Sequence, residues 1–300
     1  MPFSTGLKLI ILCFSFPLFG QQGKILSKKL IDLSSSSAWE VISNDDNLND
    51  AYLYLNDLNF YRIQYLSDSL VINGMIIEPK KEGKYPAILF NRGGNRNFAP
   101  LNLMTLISYT SRLAKEGYVI LASNYREEDE FGGKDVNDVI NLIHTVGSIE
   151  KADTSQIGMF GWSRGGMMTY LILKNSDKIK TAVIGNGPSD LIEIAKTRPV
   201  IEKNVLEECI PGYLANKRLE LEKRSAIHWP TQLDKTCSLL ILAGTLDKRV
   251  SHKQAVSMAE ELKVLGRDCQ LKLYETDHFF SDKKKELQQE LITWFNQKLN

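Results

Sequence analysis

Ser163 sits in the hexapeptide GWSRGG, residues 161–166, with Gly161 two places before it and Gly165 two places after. A serine hydroxyl is a weak nucleophile at neutral pH; it needs a base to take its proton, and the base needs a partner to orient it. The pattern G-x-S-x-G answers a separate need, exposure of the hydroxyl, when an apolar strand precedes it and a helix follows. The sharp turn then lifts the hydroxyl clear of the sheet, and the small flanking residues let neighbouring backbone pass close by. Two further residues arrive downstream in the order that such a site uses: Asp247 in AGTLDKRV, after an apolar run, and His278 in ETDHFF, before the last helix. Ser163 as nucleophile, His278 as base and Asp247 as acid would carry out acyl transfer. Other readings exist. Ser163 could be a helix N-cap in a Gly-rich turn, and Asp247 could cap a helix beginning near Ser251. Asp277 is the rival acid, but neighbours in a loop rarely orient each other's side chains; Glu275, at a strand end, ranks lower still. His144, His228 and His252 are read as structural or surface groups.

Acyl transfer passes through a tetrahedral oxyanion that needs hydrogen-bond donors. The backbone N–H of Arg164, the residue after the nucleophile, is one candidate. A second is expected from NRGGN, residues 91–95, where Arg92, Gly93 and Gly94 follow an apolar run and the glycines allow close approach of backbone to substrate. A plain tight turn is the alternative for that loop.

These residues need elements to position them. Two β-rich runs within 60–79, joined at 67–69, suggest a hairpin. After it, apolar runs of strand length at 85–91, 118–124, 156–162, 181–187, 238–244 and 270–275 alternate with helical patterns at 103–117, 135–146, 164–175, 251–266 and 284–299. Apolar strands separated by helices predict a mostly parallel sheet covered on both faces, with right-handed crossovers. In such sheets ligands bind beyond the carboxyl ends of the strands. Arg92–Gly94, Ser163, Asp247 and His278 all follow strands, and so fall at one sheet edge. Residues 189–235, rich in charge, read as helices that cap the site. The acidic run EEDE, 127–130, reads as a solvated loop, with capture of a substrate amine as the alternative.

The chain of 300 residues has 43% hydrophobic and 24% charged residues and a net charge of +1, an ordinary globular composition with no electrostatic footprint for nucleic acid. Residues 1–8 carry one cation, 9–19 are apolar, and the chain then turns polar, which is the form of a secretory signal peptide cleaved after Gly20. The apolar run is short for a membrane span, so no stable membrane insertion is expected and the protein is read as secreted or periplasmic. An uncleaved membrane anchor is the alternative. Residues 21–57 form a helical or irregular N-terminal extension, and 58–300 the catalytic domain. Cys209, Cys237 and Cys269 follow the cleavage site; none has metal-ligand spacing, and neither metal nor other cofactor is expected.

Several stretches resemble the catalytic domain of the prolyl oligopeptidase family of serine peptidases, and more loosely the dienelactone-hydrolase-like esterases. They are KYPAILFNRGGN, GYVILASNYRE, GGKDVNDVINLI, IGMFGWSRGGMMTYLIL, AVIGNGPSDL and SAIHWPTQLDKTCSLLILAGTLDKRVSHKQA, spread over 58–300. The resemblance implies an α/β-hydrolase fold, and Ser163, Asp247 and His278 in the roles given above. Two departures matter. The family's frequent His-Gly-Gly reads Arg92-Gly93-Gly94 here, and the Tyr that some members place in that loop has no counterpart. Full-length members also carry an N-terminal β-propeller, for which the residues before 58 are too few. The resemblance implies cleavage of aminoacyl or oligopeptide bonds through an acyl-enzyme. A carboxylesterase acting on small acyl or carbohydrate esters, and a non-catalytic binding protein of the same fold, are the alternatives; the partner is a peptide or small ester.

Overall fold

The structure, a computed structural model, describes residues 22–96 and 98–299; the expected signal peptide lies outside them. A nine-stranded sheet forms the centre. Its strands are β1 (Ile25–Leu30), β2 (Leu58–Ser67), β3 (Leu70–Pro79), β4 (Tyr85–Asn91), β5 (Val119–Ser123), β6 (Ala152–Trp162), β7 (Thr181–Gly185), β8 (Ser238–Gly244) and β9 (Cys269–Tyr274), in the spatial order β1-β2-β3-β5-β4-β6-β7-β8-β9. The first three strands and the β3–β5 pair are antiparallel, and the remaining pairs are parallel. This is the α/β-hydrolase arrangement, with an antiparallel flank on a parallel sheet.

Alternation along the strands builds two cores. On one face Leu89, Leu121, Met159, Ile184 and Ile241 pack against helices α2 (Asp135–Thr145), α3 (Arg164–Asn175) and α6 (His252–Val264). On the other, Ile88, Phe90, Ile120, Phe160, Val183 and Leu242 pack against α1 (Leu103–Lys115) and α7 (Lys284–Leu299). Each fully buried aliphatic side chain contributes about 1.5–3 kcal/mol of transfer free energy, and both faces are filled, so the strand ends are held rigidly. Between β7 and β8 lie α4 (Leu191–Thr197), short helical turns over 199–209, and α5 (Tyr213–Lys223).

Residues 22–57 contain the short helical turns Leu33–Ser35, Trp39–Ile42 and Leu53–Asp57 and irregular segments, as expected, but also strands. Residues 25–30 add an edge strand, pairing antiparallel with β2, and Ser43–Asn44 pairs with Asn47–Leu48. The run ILSKKL lacks an alternating apolar face; the open hydrogen-bonding edge of β2 makes it a strand, and its lysines suit an exposed edge. Among the described residues no helix is long and apolar enough to cross a membrane, and no group of three or more His, Cys, Asp or Glu side chains could hold a metal ion.

Candidate active site

β6 ends at Trp162 and α3 begins at Arg164, leaving Ser163 alone at the turn with φ 55° and ψ −125°. That conformation is costly for a residue with a side chain, of order 1–3 kcal/mol, and persists only when the surroundings hold it. The surroundings are backbone. The Ser163 N–H donates to the Gly185 carbonyl at 2.8 Å, and the Ser163 carbonyl accepts from Gly166 at 2.8 Å. A Cβ on Gly161 would come within 2.1 Å of the Gly165 carbonyl oxygen, and one on Gly165 within 1.9 Å of that of Asn91. The spacing of glycines around the serine is therefore a steric requirement of this turn.

His278 lies in the loop after β9, and Asp247 in the loop after β8. The His278 ring brings three distant loops together: Nε2 is 2.9 Å from the Ser163 hydroxyl oxygen, and Nδ1 is 2.6 Å from Asp247 Oδ2. Asp247 is held in turn by the N–H groups of Arg249 and Val250, which donate to its Oδ1 at 2.6 and 3.0 Å. The carboxylate of the rival acid, Asp277, accepts from the N–H groups of Phe279 and Ser281 and from the Ser281 hydroxyl, and among the described residues it makes no hydrogen bond to the ring. His144 and His228 are exposed and His252 is partly exposed; none of them touches Ser163. Asn186 was not anticipated from sequence. Its side-chain amide donates to the His278 carbonyl at 2.9 Å, and its side-chain oxygen accepts from the Gly244 N–H at 2.8 Å, tying the histidine loop to the end of β8. The signal available was the GNG that begins at the last residue of β7, a turn sequence at the carboxyl edge of the sheet.

Phe280 is fully buried behind the histidine, edge-on to Trp162 at 5.4 Å, within an aromatic group that includes Tyr109 and Phe160. The loop of Arg92, Gly93 and Gly94 lies beside the serine: a Cβ on Gly93 would fall 3.2 Å from that of Ser163. Among the described residues the N–H groups of Gly93 and Gly94 find no acceptor. The Arg92 side chain is turned into the protein, donating to the carbonyls of Asn124, Gly93 and Ala99, so what this loop offers a ligand is backbone. The Arg164 guanidinium is also buried; it donates to Asp129, Asp135 and the Gly94 carbonyl, and among the described residues its backbone N–H at the start of α3 finds no acceptor. Asp129 thus departs from both expectations for the acidic run 127–130: it is a buried partner of Arg164, while Glu127 and Glu128 are exposed.

A cavity of about 280 Å³ opens at Ser163. Phe131, Leu191, Ile194, Ile201, Val205 and Val250 give it apolar walls, and Arg198 and Arg249 add charge. The helical segment between β7 and β8 supplies much of this wall.

Comparison with known proteins places the chain. It is similar to the uncharacterized peptidase YtmA of Bacillus subtilis, at 26% identity over 79% of this chain and 93% of that protein. It is also similar to the human acylamino-acid-releasing enzyme, at 24% identity over 68% of this chain and 30% of that protein. Among solved structures it resembles the acylaminoacyl peptidase of Pyrococcus horikoshii, with a TM-score of 0.70 and 22% identity over 84% of this chain and 44% of that one. The chain therefore spans less than half the length of these last two proteins, while it matches nearly all of the bacterial one. The model of the prolyl oligopeptidase family matches residues 106–300, about two thirds of the chain, and the protein belongs to that family of serine peptidases.

Proposed function

We propose that the protein cleaves peptide bonds through an acyl-enzyme in which Ser163 is the nucleophile, His278 the general base and acid, and Asp247 the residue that orients and stabilises the imidazole. One observation carries the reading: a single imidazole lies within hydrogen-bond reach of both a strained serine hydroxyl and a buried carboxylate. The serine oxygen attacks the scissile carbonyl as its proton passes to His278 Nε2. Asp247 stabilises the imidazolium that forms. The oxyanion takes hydrogen bonds from the N–H of Arg164 and from the 92–94 loop. Collapse expels the amine, which takes the proton from Nε2; water then attacks the ester with the same imidazole as base, freeing Ser163.

The cavity suggests which peptides fit. Its lining includes Arg198 and Arg249 and, among the described residues, no carboxylate, so a free amino terminus gains no ionic partner there. Apolar walls with guanidinium donors suit an acyl-blocked amino terminus, whose carbonyl oxygen can accept. The names of the similar acylaminoacyl peptidases support the same substrate class. We further read residues 189–235 as the cap that shapes this pocket.

The test uses a fluorophosphonate probe and a substrate panel. The wild type should be labelled, and Ser163→Ala should lose labelling and about 10⁴-fold or more in kcat. N-acetylaminoacyl nitroanilides should be cleaved with higher kcat/KM than the same compounds bearing a free amine. Turnover of short acyl p-nitrophenyl esters without any anilide cleavage would make the protein an esterase, and labelling that survives Ser163→Ala would remove the nucleophile assignment.

A further inference from the structure

Tyr125 follows β5 in the stretch SNYRE and does not itself touch the serine, yet it has a left-handed backbone, φ 60°, and a fully buried ring. Its N–H is fixed by the Ser123 hydroxyl at 2.9 Å, and its hydroxyl donates to the Arg92 carbonyl at 3.1 Å. The guanidiniums of Arg92 and Arg164 both lie over its ring, each 4.9 Å from the centroid. Two cations crowded on one aromatic ring repel each other, and the Asp129 and Asp135 carboxylates beside Arg164 offset that repulsion. Every one of these groups is buried, so the arrangement is part of the scaffold.

Its products are three satisfied carbonyls. Arg92 O accepts from the Tyr125 hydroxyl, Gly93 O from Arg92 Nη1 at 2.9 Å, and Gly94 O from Arg164 Nη1 at 2.9 Å. Asp129 ties the same loop again by accepting from the Arg96 N–H at 2.6 Å. In a trans peptide plane the carbonyl and the N–H of the next residue point in opposite directions. A donor on Arg92 O therefore turns the Gly93 N–H away from the buried network, and a donor on Gly93 O does the same for the Gly94 N–H. The Gly93 and Gly94 N–H groups, beside Ser163, find no acceptor among the described residues.

We propose that Tyr125 is a positioning residue for the reaction: with Arg92 and Arg164 on its ring, it fixes the peptide planes of residues 92–95 so that the loop presents N–H groups, and not carbonyls, to the oxyanion. This rests on the reading of Ser163 as nucleophile. The device takes over the task of the histidine that the resemblance led one to expect at position 92. It also explains why a buried arginine follows the nucleophile: Arg164 contributes its N–H to the oxyanion and its side chain to the loop that supplies the other donor.

The experiment compares wild type, Tyr125→Phe and Arg164→Lys on an N-acetylaminoacyl nitroanilide, together with inhibition by a peptidyl boronic acid, whose tetrahedral adduct with serine needs the same donors. Tyr125→Phe keeps the ring under both guanidiniums and removes only the hydroxyl. It should lower kcat about 10- to 100-fold with KM within about 3-fold, and weaken the boronate by the same factor as kcat. Arg164→Lys keeps the charge facing Asp129 and Asp135 but loses the fork that reaches Gly94, and should show the same split. Wild-type kcat and boronate affinity in Tyr125→Phe would overturn the inference, as would a loss confined to KM. A wild type that fluorophosphonate does not label would sink the nucleophile reading and this inference with it; a labelled wild type with unaffected variants would sink this inference alone.

Discussion

At the scale of single residues, the site is a set of atoms that have no room to be otherwise. Ser163 holds its unusual φ and ψ because Gly161 and Gly165 let α3 and β4 close against the turn. A methyl group at 165 would meet the Asn91 carbonyl oxygen at 1.9 Å, backbone against which no side chain can give way. Gly165→Ala should therefore destabilise the protein by about 2–4 kcal/mol, read as a lower midpoint in urea with an unchanged m-value. Activity should fall further than the folded fraction does, because the elbow itself must shift. Retention of both stability and activity would show that the turn is more pliable than its contacts imply. The same scale explains why Asn186 escaped notice in the sequence. An asparagine between two glycines has the composition of any turn, and only the folded chain shows its amide joining Gly244 to the His278 carbonyl.

At the scale of elements, the loop from β9 to α7 must deliver an imidazole to a point fixed by two other loops. It is stiffened from both sides of His278. Phe280 plugs into the aromatic group under Trp162, and Asp277 gathers the N–H groups of Phe279 and Ser281. These hydrogen bonds, led by that from the Ser281 backbone, hold the Asp277 carboxyl below its ordinary value of 3.8. A depressed carboxyl pKa gives stability that is present above the unfolded value and is lost as pH falls through the folded one. The stability difference between wild type and Asp277→Asn should thus be constant above about pH 5 and shrink as pH falls below 3.8. Urea denaturation across that range checks it; a difference that grows toward low pH would contradict the assignment. The loop after β8 uses the same design, with Asp247 itself collecting two N–H groups, so in the proposed mechanism both residues behind the serine stand on loops tied by their own backbone hydrogen bonds.

At the scale of the molecule, β1 binds the start of the described chain to the sheet edge, and Gly23 is anchored by its N–H to Leu66. We read residues 1–20 as a signal peptide from their sequence pattern. Mass spectrometry of protein exported from an expressing host should then find Gln21 at the amino terminus. An exported or membrane-bound form that retains Met1 would favour the anchor reading. The alternation of apolar strands and helices, the GWSRG elbow and the order serine, aspartate, histidine could all be read from the chain, because each is a local or ordered property: side-chain period, steric size, succession. The strand at 25–30, the burial of Asp129 against Arg164, and the work of Tyr125 and Asn186 could not. Each depends on a partner between 31 and 92 residues away, and neither that separation nor a hydrogen bond to a main-chain carbonyl leaves a mark on residue type. Composition and spacing supplied the reagents; the distances between them, and the direction in which a loop of two glycines turns its N–H groups, were set by closure of the sheet and the packing beneath it.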